Sequence, residues 1–306
     1  MGNASNVRKR QRSQGTPDGV PARAPSVLIA GAATRDHFAD EQRPGGAVLY
    51  AARAAAALGV RARILTIADP DARLEALDGH DGTVANSAGT LTFVHMFAAE
   101  GGERLLRVLA RPERALSATD LPGSHTGEDD LLVLAPLLPD DLDLASFAGV
   151  RARRRALLAQ GLLREVGADG LVSHADAPPP ALRAAVDART SVFLSEEETA
   201  RWDASALASL AESAERVVVT RGARGATILR GGTRIETSAH PAEAVDSTGC
   251  GDVFSVAYMI ALVMGADDAR AAAIGAELAS AALGIEGAQP LPAVRIDLPG
   301  AVRAGV

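Results

Sequence analysis

The chain has 306 residues, 47% of them hydrophobic and 23% charged, with a formal net charge of −7. That length and apolar share can bury the core of one large α/β domain, and the acidic balance argues against a nucleic-acid binder relying on a broad basic surface. A single cysteine excludes an intramolecular disulfide framework, no apolar run reaches the roughly eighteen residues of a membrane span, and a reducing, cytoplasmic setting is expected.

Lys9 is the only lysine; every other strong base is an arginine. A Walker-type NTPase or a protein kinase carries a lysine on the phosphates, and an imine-forming enzyme needs one as nucleophile. Lys9 stands in a polar segment and suits none of these roles. Residues 1–25, rich in Gly, Ser, Gln, Pro and Arg, read as a disordered tail. Its cluster of Arg8, Lys9, Arg10 and Arg12 reads as solvated, because no apolar stretch follows to make a secretion signal.

From Val27 the pattern changes. Residues 27–31 form a short apolar run ending in glycine, which predicts a buried strand. Residues 46–58 are alanine-rich at helical spacing and stop at Gly59, and residues 64–67 predict a second strand. Residues 90–109 alternate around Gly101 and Gly102, a hairpin signal. Short apolar runs follow at 131–134, 156–159, 170–172 and 192–194, with helical stretches such as 180–188 between several of them. A helix at 205–214 leads to a strand at 217–220. Strands at 226–230 and 233–237 flank a Gly231-Gly232 turn, and two long alanine-rich helices follow at 251–264 and 267–283. Alternation of strand and helix over most of the chain predicts an α/β fold: a Rossmann-like, mostly parallel central sheet with helices on both faces.

The densest chemical signal is Asp246-Ser247-Thr248-Gly249-Cys250-Gly251-Asp252-Val253-Phe254. Glycines let a backbone approach a ligand closely, and the first N–H groups of a helix have no partner inside it. The helix dipole adds to this, so the start of the helix favours an anion. Asp252, in the first turn, could accept a proton from an attacking hydroxyl. The competing reading is a plain turn whose acid complements the dipole. Neither a Walker loop nor a dinucleotide fingerprint is present, since no Gly-Lys-Ser/Thr follows and Phe254 takes the place of the third glycine.

This segment resembles the D-T-x-G-A-G-D hallmark of the ribokinase-like (PfkB) family, and further motifs agree in order. Gly31 and Asp36 have the spacing of the family's first substrate loop, and Gly45-Gly46 before a helix resembles its N-terminal glycine pair. The run 219–225, with Thr220, Gly222 and Gly225, resembles the nucleotide-loop pattern T-x-G-x-x-G. Gly287-Ala288-Gln289-Pro290 resembles the segment closing the adenine side. Glu198 falls where the family carries N-x-x-E, whose glutamate helps position Mg²⁺ and phosphate.

The resemblance implies a ribokinase-like domain over residues 26–306 with a small β lid, and ATP and Mg²⁺ as cofactors. It leaves a monovalent-cation requirement open. Asp36, Gly45, Gly46 and the position of Tyr50 would hold a small polyol, sugar or nucleoside. Thr220, Gly222, Gly225, Gly287 and Gln289 would hold the nucleotide. Asp252 would act as base beside an anion hole of Gly249, Cys250 and Gly251 amides, with Glu198 toward the metal.

The sequence departs from the family pattern in four places. Tyr50 replaces a substrate-binding asparagine and does not offer the amide's paired donor and acceptor. Only eight residues separate Asp36 from Gly45, so the lid is expected mainly from residues 88–110, and monomer and homodimer both stay open. Ser195 replaces the asparagine of N-x-x-E. Cys250 replaces the central alanine; a helix N-terminus would lower its pKa, yet it reads as filler.

Among the six histidines no i, i+4 pair suggests zinc; His37, next to Asp36, could line the substrate pocket. Arg164, in a Q-G-x-x-R stretch seen in some family members, could reach the transferred phosphoryl group but reads as a helix-surface arginine. Asp129-Asp130 and the run 140–143 read as solvated loops. An inositol-like polyol fits the short first lid and missing asparagine, with aldose and nucleoside open. The rivals are a catalytically weak ligand-binding relative and a nicotinamide-dependent oxidoreductase, the latter disfavoured because no G-x-G-x-x-G follows the first strand.

Overall fold

The computed structural model describes residues 24–39, 41–97, 104–123 and 127–296. The expected tail up to residue 23 and the Gly101-Gly102 turn lie outside them.

The chain opens with β1 (Val27–Gly31), then a hairpin of β2 (Thr34–Phe38) and β3 (Glu41–Gly45), and helix α1 (Ala47–Ala57). Strands β4 (Arg63–Ala68) and β5 (Asp81–Asn86) follow, then the hairpin β6 (Leu91–Phe97) and β7 (Arg104–Ala110). Next come β8 (Asp129–Ala135), β9 (Ala152–Leu158) and a small antiparallel pair, β10 (Arg164–Val166) and β11 (Val172–His174). The C-terminal half runs α2 (Pro180–Ala185), β12 (Thr190–Ser195), α3 (Glu196–Thr199), α4 (Ala204–Ser213) and β13 (Arg216–Thr220). It closes with β14 (Ala226–Arg230), β15 (Thr233–Thr237), α5 (Cys250–Val263) and α6 (Asp268–Leu283).

Nine strands form the main sheet in the order β15-β14-β13-β12-β9-β8-β1-β4-β5. Every neighbouring pair from β13 to β5 is parallel, and β14 and β15 add an antiparallel edge. Successive residues on a strand point to opposite faces, yet Leu28, Ile29 and Ala30 are all at most 1% exposed, as are Leu131, Leu132 and Val133. Both faces of the central strands are therefore covered, which is why they read as unbroken apolar runs rather than alternating ones.

A second sheet, β3-β2-β6-β7, stands apart from the first. The sequence placed this appendage mainly at residues 88–110. The hairpin 34–45 supplies half of its strands, with β2 parallel to β6. Alternation over five residues with a proline in β3 is too weak a pattern to announce a strand pair, and pairing with β6 supplies what propensity lacks.

The acidic pairs are also relocated. Asp129 and Asp130 lie at the start of β8 and are buried, Asp129 paired with Arg63 and Asp130 accepting from the Ser26 amide and hydroxyl at 2.9 and 3.0 Å. Asp141 is buried as well and accepts from the Leu137 amide at 2.9 Å. Polar residues at strand ends look solvated in sequence; local hydrogen bonds carry them inside.

A buried ionic network ties the helices to the sheet edge. Arg216, 1% exposed, pairs with Asp268 at 3.2 Å and Glu215 at 3.0 Å and donates to Ser191 at 3.0 Å. The Tyr258 hydroxyl and Arg230 also donate to Asp268. Burial pushes the Asp268 pKa up, but Tyr258, Arg216 and Arg230 outweigh it and hold it below the usual carboxylate range. Its contribution is therefore present above the unfolded carboxylate pKa and lost as pH falls through the folded one. Asp268→Ala removes one of the two carboxylates that hold the buried Arg216 and should cost about 3–5 kcal/mol in denaturant unfolding, with Asp268→Asn milder. A loss below about 1 kcal/mol for the alanine variant would show the network to be dispensable.

Candidate active site

In a parallel α/β sheet, ligands sit beyond the carboxyl ends of the strands, where loops and helix starts converge. The candidate residues fall there. Asp36 follows β1, Asp141 follows β8, Arg164 follows β9 through a short turn, Glu198 follows β12, and the 220–225 loop follows β13.

Helix α5 begins at Gly249, which holds a left-handed conformation with φ of 74°. No side chain caps it. The Cys250 amide donates to the Ser247 carbonyl at 3.3 Å, and the next backbone bond runs from Val253 to Gly249 at 2.9 Å. Of the three amides expected to form the anion hole, that of Cys250 is thus engaged, whereas those of Gly249 and Gly251, and that of Asp252 beyond them, find no backbone acceptor among the described residues. A Cβ at Gly249 would collide with the Tyr50 ring, so glycine is required by both φ and space. Tyr50, on α1, is 3% exposed and packs against this turn. Burial, then the Asp36, Asp246 and Asp252 carboxylates, push its pKa up, so the phenol stays neutral.

Asp252 stands in the first turn of α5. Its surface is partly open, but the surrounding protein solvates a charge poorly. Burial and then the Glu198 carboxylate push its pKa up to about 7, against the pull of Arg164. Two carboxylates and one guanidinium thus share the floor of the site. Arg164 is a correction to the sequence reading: it is 9% exposed, not on a helix surface, and donates through Nη1 to the Leu137 carbonyl at 2.8 Å. Its guanidinium carbon lies 5.2 Å from the Phe93 ring centroid. The same Leu137 donates its amide to Asp141, whose pKa burial pushes up to about 7.

Asp36 is 5% exposed on β2, a strand rather than the expected loop. Its Oδ1 is buried without a hydrogen-bond partner and lies 3.7 Å from His95 Nε2 on β6. A Cβ at Gly45 would overlap the Asp36 carboxylate, and one at Gly46, with φ of 98°, would strike the Ala32 carbonyl at 2.6 Å. Gly45 therefore lets β3 close on this acid, and Gly46 lets α1 start against the Ala32 carbonyl. Because strand neighbours face opposite ways, His37 does not share the Asp36 pocket; His95 does, a residue the sequence marked only as a strand position.

The donor-side loops are tied to the same centre. Asp246 accepts from the amides of Thr248 and Gly287, at 2.9 and 3.0 Å, and lies 3.8 Å from Arg43. Arg53, 3% exposed, donates to the Gly287 carbonyl at 2.5 Å. Thr220 donates to Leu194 at 3.3 Å, and Arg224 of the glycine loop pairs with Glu196 beside Glu198. Gly222 and Gly225 hold φ of 55° and 84°. Gln289 is exposed. At Cys250, read as filler, burial and then Asp246 push the thiol up to about 11, against the lowering that a helix N-terminus alone would give.

Glu198 is 5% exposed and closes a capping box with Ser195, accepting from the Ser195 amide at 2.7 Å through Oε2. Serine thus suits the position vacated by asparagine. Among the described residues no group of three or more His, Cys, Asp or Glu could hold a metal on protein ligands alone. The donor set, a hard carboxylate beside an anion site, fits Mg²⁺ carried mainly by phosphate oxygens with Glu198 assisting.

A sequence model of the pfkB family of carbohydrate kinases matches residues 31–294. Solved structures show the same fold at low identity. One is a pyrophosphate-dependent kinase in the ribokinase family complexed with a pyrophosphate analog and myo-inositol, with TM-score 0.68, 15% identity, and coverage of 87% of this chain and 97% of that one. Another is Arabidopsis thaliana ribokinase with ribose and ATP, with TM-score 0.65, 20% identity, and 88% and 96% coverage. A third is Vibrio cholerae O395 fructokinase with fructose, ADP and calcium, with TM-score 0.67, 21% identity, and 86% and 94% coverage. With a family match over most of its length and a glycine-bounded helix start carrying an acid in its first turn, this chain belongs to the pfkB family of carbohydrate kinases.

Proposed function

We propose that the chain transfers the terminal phosphoryl group of ATP to a hydroxyl of a small polyol, sugar or nucleoside, with Asp252 as general base. The observation that carries this reading is the uncapped start of α5, where the free Gly251 and Asp252 amides adjoin a carboxyl whose pKa lies near neutrality. A base poised there is unprotonated in useful amount at neutral pH and still accepts a proton readily. The buried, unpartnered Asp36 oxygen would accept from an acceptor hydroxyl, with His95 beside it. ATP would run from the 220–225 loop to Gly287, both tied to the site by the contacts above. Mg²⁺, when bound, would offset charge on the donor phosphates, with Glu198 holding it.

Tyr50 narrows the acceptor. Its ring is committed to Gly249, so it walls the pocket rather than offering an amide to a sugar hydroxyl. A flat, hydroxyl-rich polyol such as an inositol needs only acceptors like Asp36 and a wall to stack on, and one of the similar folds is a kinase complexed with myo-inositol. Others act on ribose, fructose and nucleosides, so the panel must include all four classes. ADP release should appear with ATP and one class of acceptor. Tight acceptor binding with no ADP formed would favour a ligand-binding relative, and turnover with pyrophosphate alone would replace ATP as donor.

Asp252→Asn should leave ATP affinity nearly intact and reduce kcat by roughly a hundredfold or more. Retention of near-normal turnover would remove Asp252 as base. In the wild type, kcat/KM should climb with pH through about 7 and level off above it, because the base works unprotonated. Glu198→Gln removes a negative neighbour and should move that inflection to lower pH; a rate independent of pH between 5 and 9 would contradict the assignment.

A further inference from the structure

Arg53 is the one charged residue of α1, and it is buried. Alanines at 51, 52, 54, 55 and 57 pack the helix closely around it, so its charge lies away from water. Burial lowers its pKa, yet a guanidinium keeps its proton at any working pH. Nη1 donates to the Gly287 carbonyl at 2.5 Å, while Nε and Nη2 are buried without hydrogen-bond partners. A desolvated cation so thinly bonded has to be offset by opposite charge nearby. Asp246 is the carboxylate that couples to it, and Asp246 also accepts the Gly287 amide at 3.0 Å. Gly287, with φ of 60°, is thus held at both its amide and its carbonyl. Tyr50 stands three residues earlier on the same helix face, its ring centroid 5.6 Å from the guanidinium carbon, and is the ring that packs against Gly249.

Asp246 lies three residues before Gly249. Burial pushes its pKa up, but the Gly287 and Thr248 amides and Arg43 outweigh it, so the acid stays ionised. An ionised carboxylate that close to an anion-binding helix start repels donor phosphates unless a cation offsets it. Arg43 does so only in part, since it also serves Glu41 at 2.6 Å and Glu286 at 2.5 Å. A carboxylate and a main-chain carbonyl meeting at one turn are oxygens that an alkali cation such as K⁺ would bridge. Here the carbonyl is already taken by a positive group that cannot diffuse away, and an added ion would meet like charge in a poorly solvating interior. These residues do not fit a bound monovalent cation.

We infer that Arg53 is a built-in substitute for such an ion: its guanidinium supplies the positive charge between the Asp246 carboxylate and the Gly287 carbonyl, and phosphoryl transfer by this chain does not depend on K⁺. The inference rests on the kinase reading above and answers the monovalent-cation question that the sequence leaves open. Arg53 touches no reacting atom. It is a positioning residue, holding the Gly287 segment and, through Tyr50, the turn at Gly249.

The test uses the full chain and compares K⁺ with tetramethylammonium at equal ionic strength. Wild-type kcat, measured with MgATP and the acceptor found by the panel, should agree between the two salts within about twofold, and the melting temperature within about 1 °C. Arg53→Met keeps the aliphatic stem and removes the charge, leaving the Asp246 and Gly287 oxygens to a diffusible ion. It should lose about tenfold or more in kcat in tetramethylammonium, recover most of that loss in K⁺, and melt higher in K⁺. A wild-type protein whose rate or melting temperature rises clearly with K⁺ would overturn the inference. So would a folded methionine variant that keeps wild-type turnover without K⁺, or one that K⁺ does not rescue. Should Arg53→Met not fold in either salt, the wild-type comparison decides alone. Failure of the kinase reading shows separately, as a wild-type protein that transfers phosphate to no acceptor; the melting comparison needs no turnover and still tests Arg53.

Discussion

The site depends on one steric bargain at the start of α5. Gly249 turns through the left-handed region against the face of Tyr50, which leaves no room for a Cβ, and just beyond it the amides of Gly251 and Asp252 find no backbone acceptor among the described residues. A helix end left bare is normally a defect. Here, the bare end is backed by a buried aromatic, flanked by an acid of near-neutral pKa, and pinned through Asp246 and Arg53 to the Gly287 segment. The rest of the fold can be understood as the frame that brings Asp36, Arg164 and Glu198 to that point from three other strand ends.

Electrostatics follow from the same crowding. Burial raises Asp252 and Asp141 alike, Glu198 adds to the effect at Asp252, and Arg164 opposes it. The result is a floor of carboxylates around a single well-held guanidinium, an arrangement suited to phosphate chemistry only if something positive arrives with the donor. The carboxylate of Glu198 caps α3 through Oε2. Serine at 195, where the family pattern has asparagine, keeps the local helix start.

Much of this was legible in the sequence, for physical reasons. The central strands announced themselves because residues buried on both faces have to be apolar, and Gly249-Cys250-Gly251-Asp252 before an apolar run is a pattern that few other structures need. Arg164 was misjudged because an arginine after a strand is usually solvated; only the fold reveals that Leu137 and Phe93 hold it inside. Asp141 and His95 were invisible as site residues since their partners come from distant segments. At Cys250, read as filler, the helix dipole that the sequence shows would lower the thiol pKa, whereas the burial that raises it is visible only in the fold. The hairpin at 34–45 was missed because β3 earns its strand from pairing across β2, not from its own residues.

The most direct measurement is a crystal structure with ADP, a planar phosphoryl mimic such as aluminium fluoride, and the acceptor bound. The mimic is expected within about 3 Å of the Gly251 and Asp252 amides, with the acceptor hydroxyl in hydrogen-bond reach of Asp252. A mimic lodged elsewhere, or a helix start that closes over its own amides when ligands bind, would contradict the account.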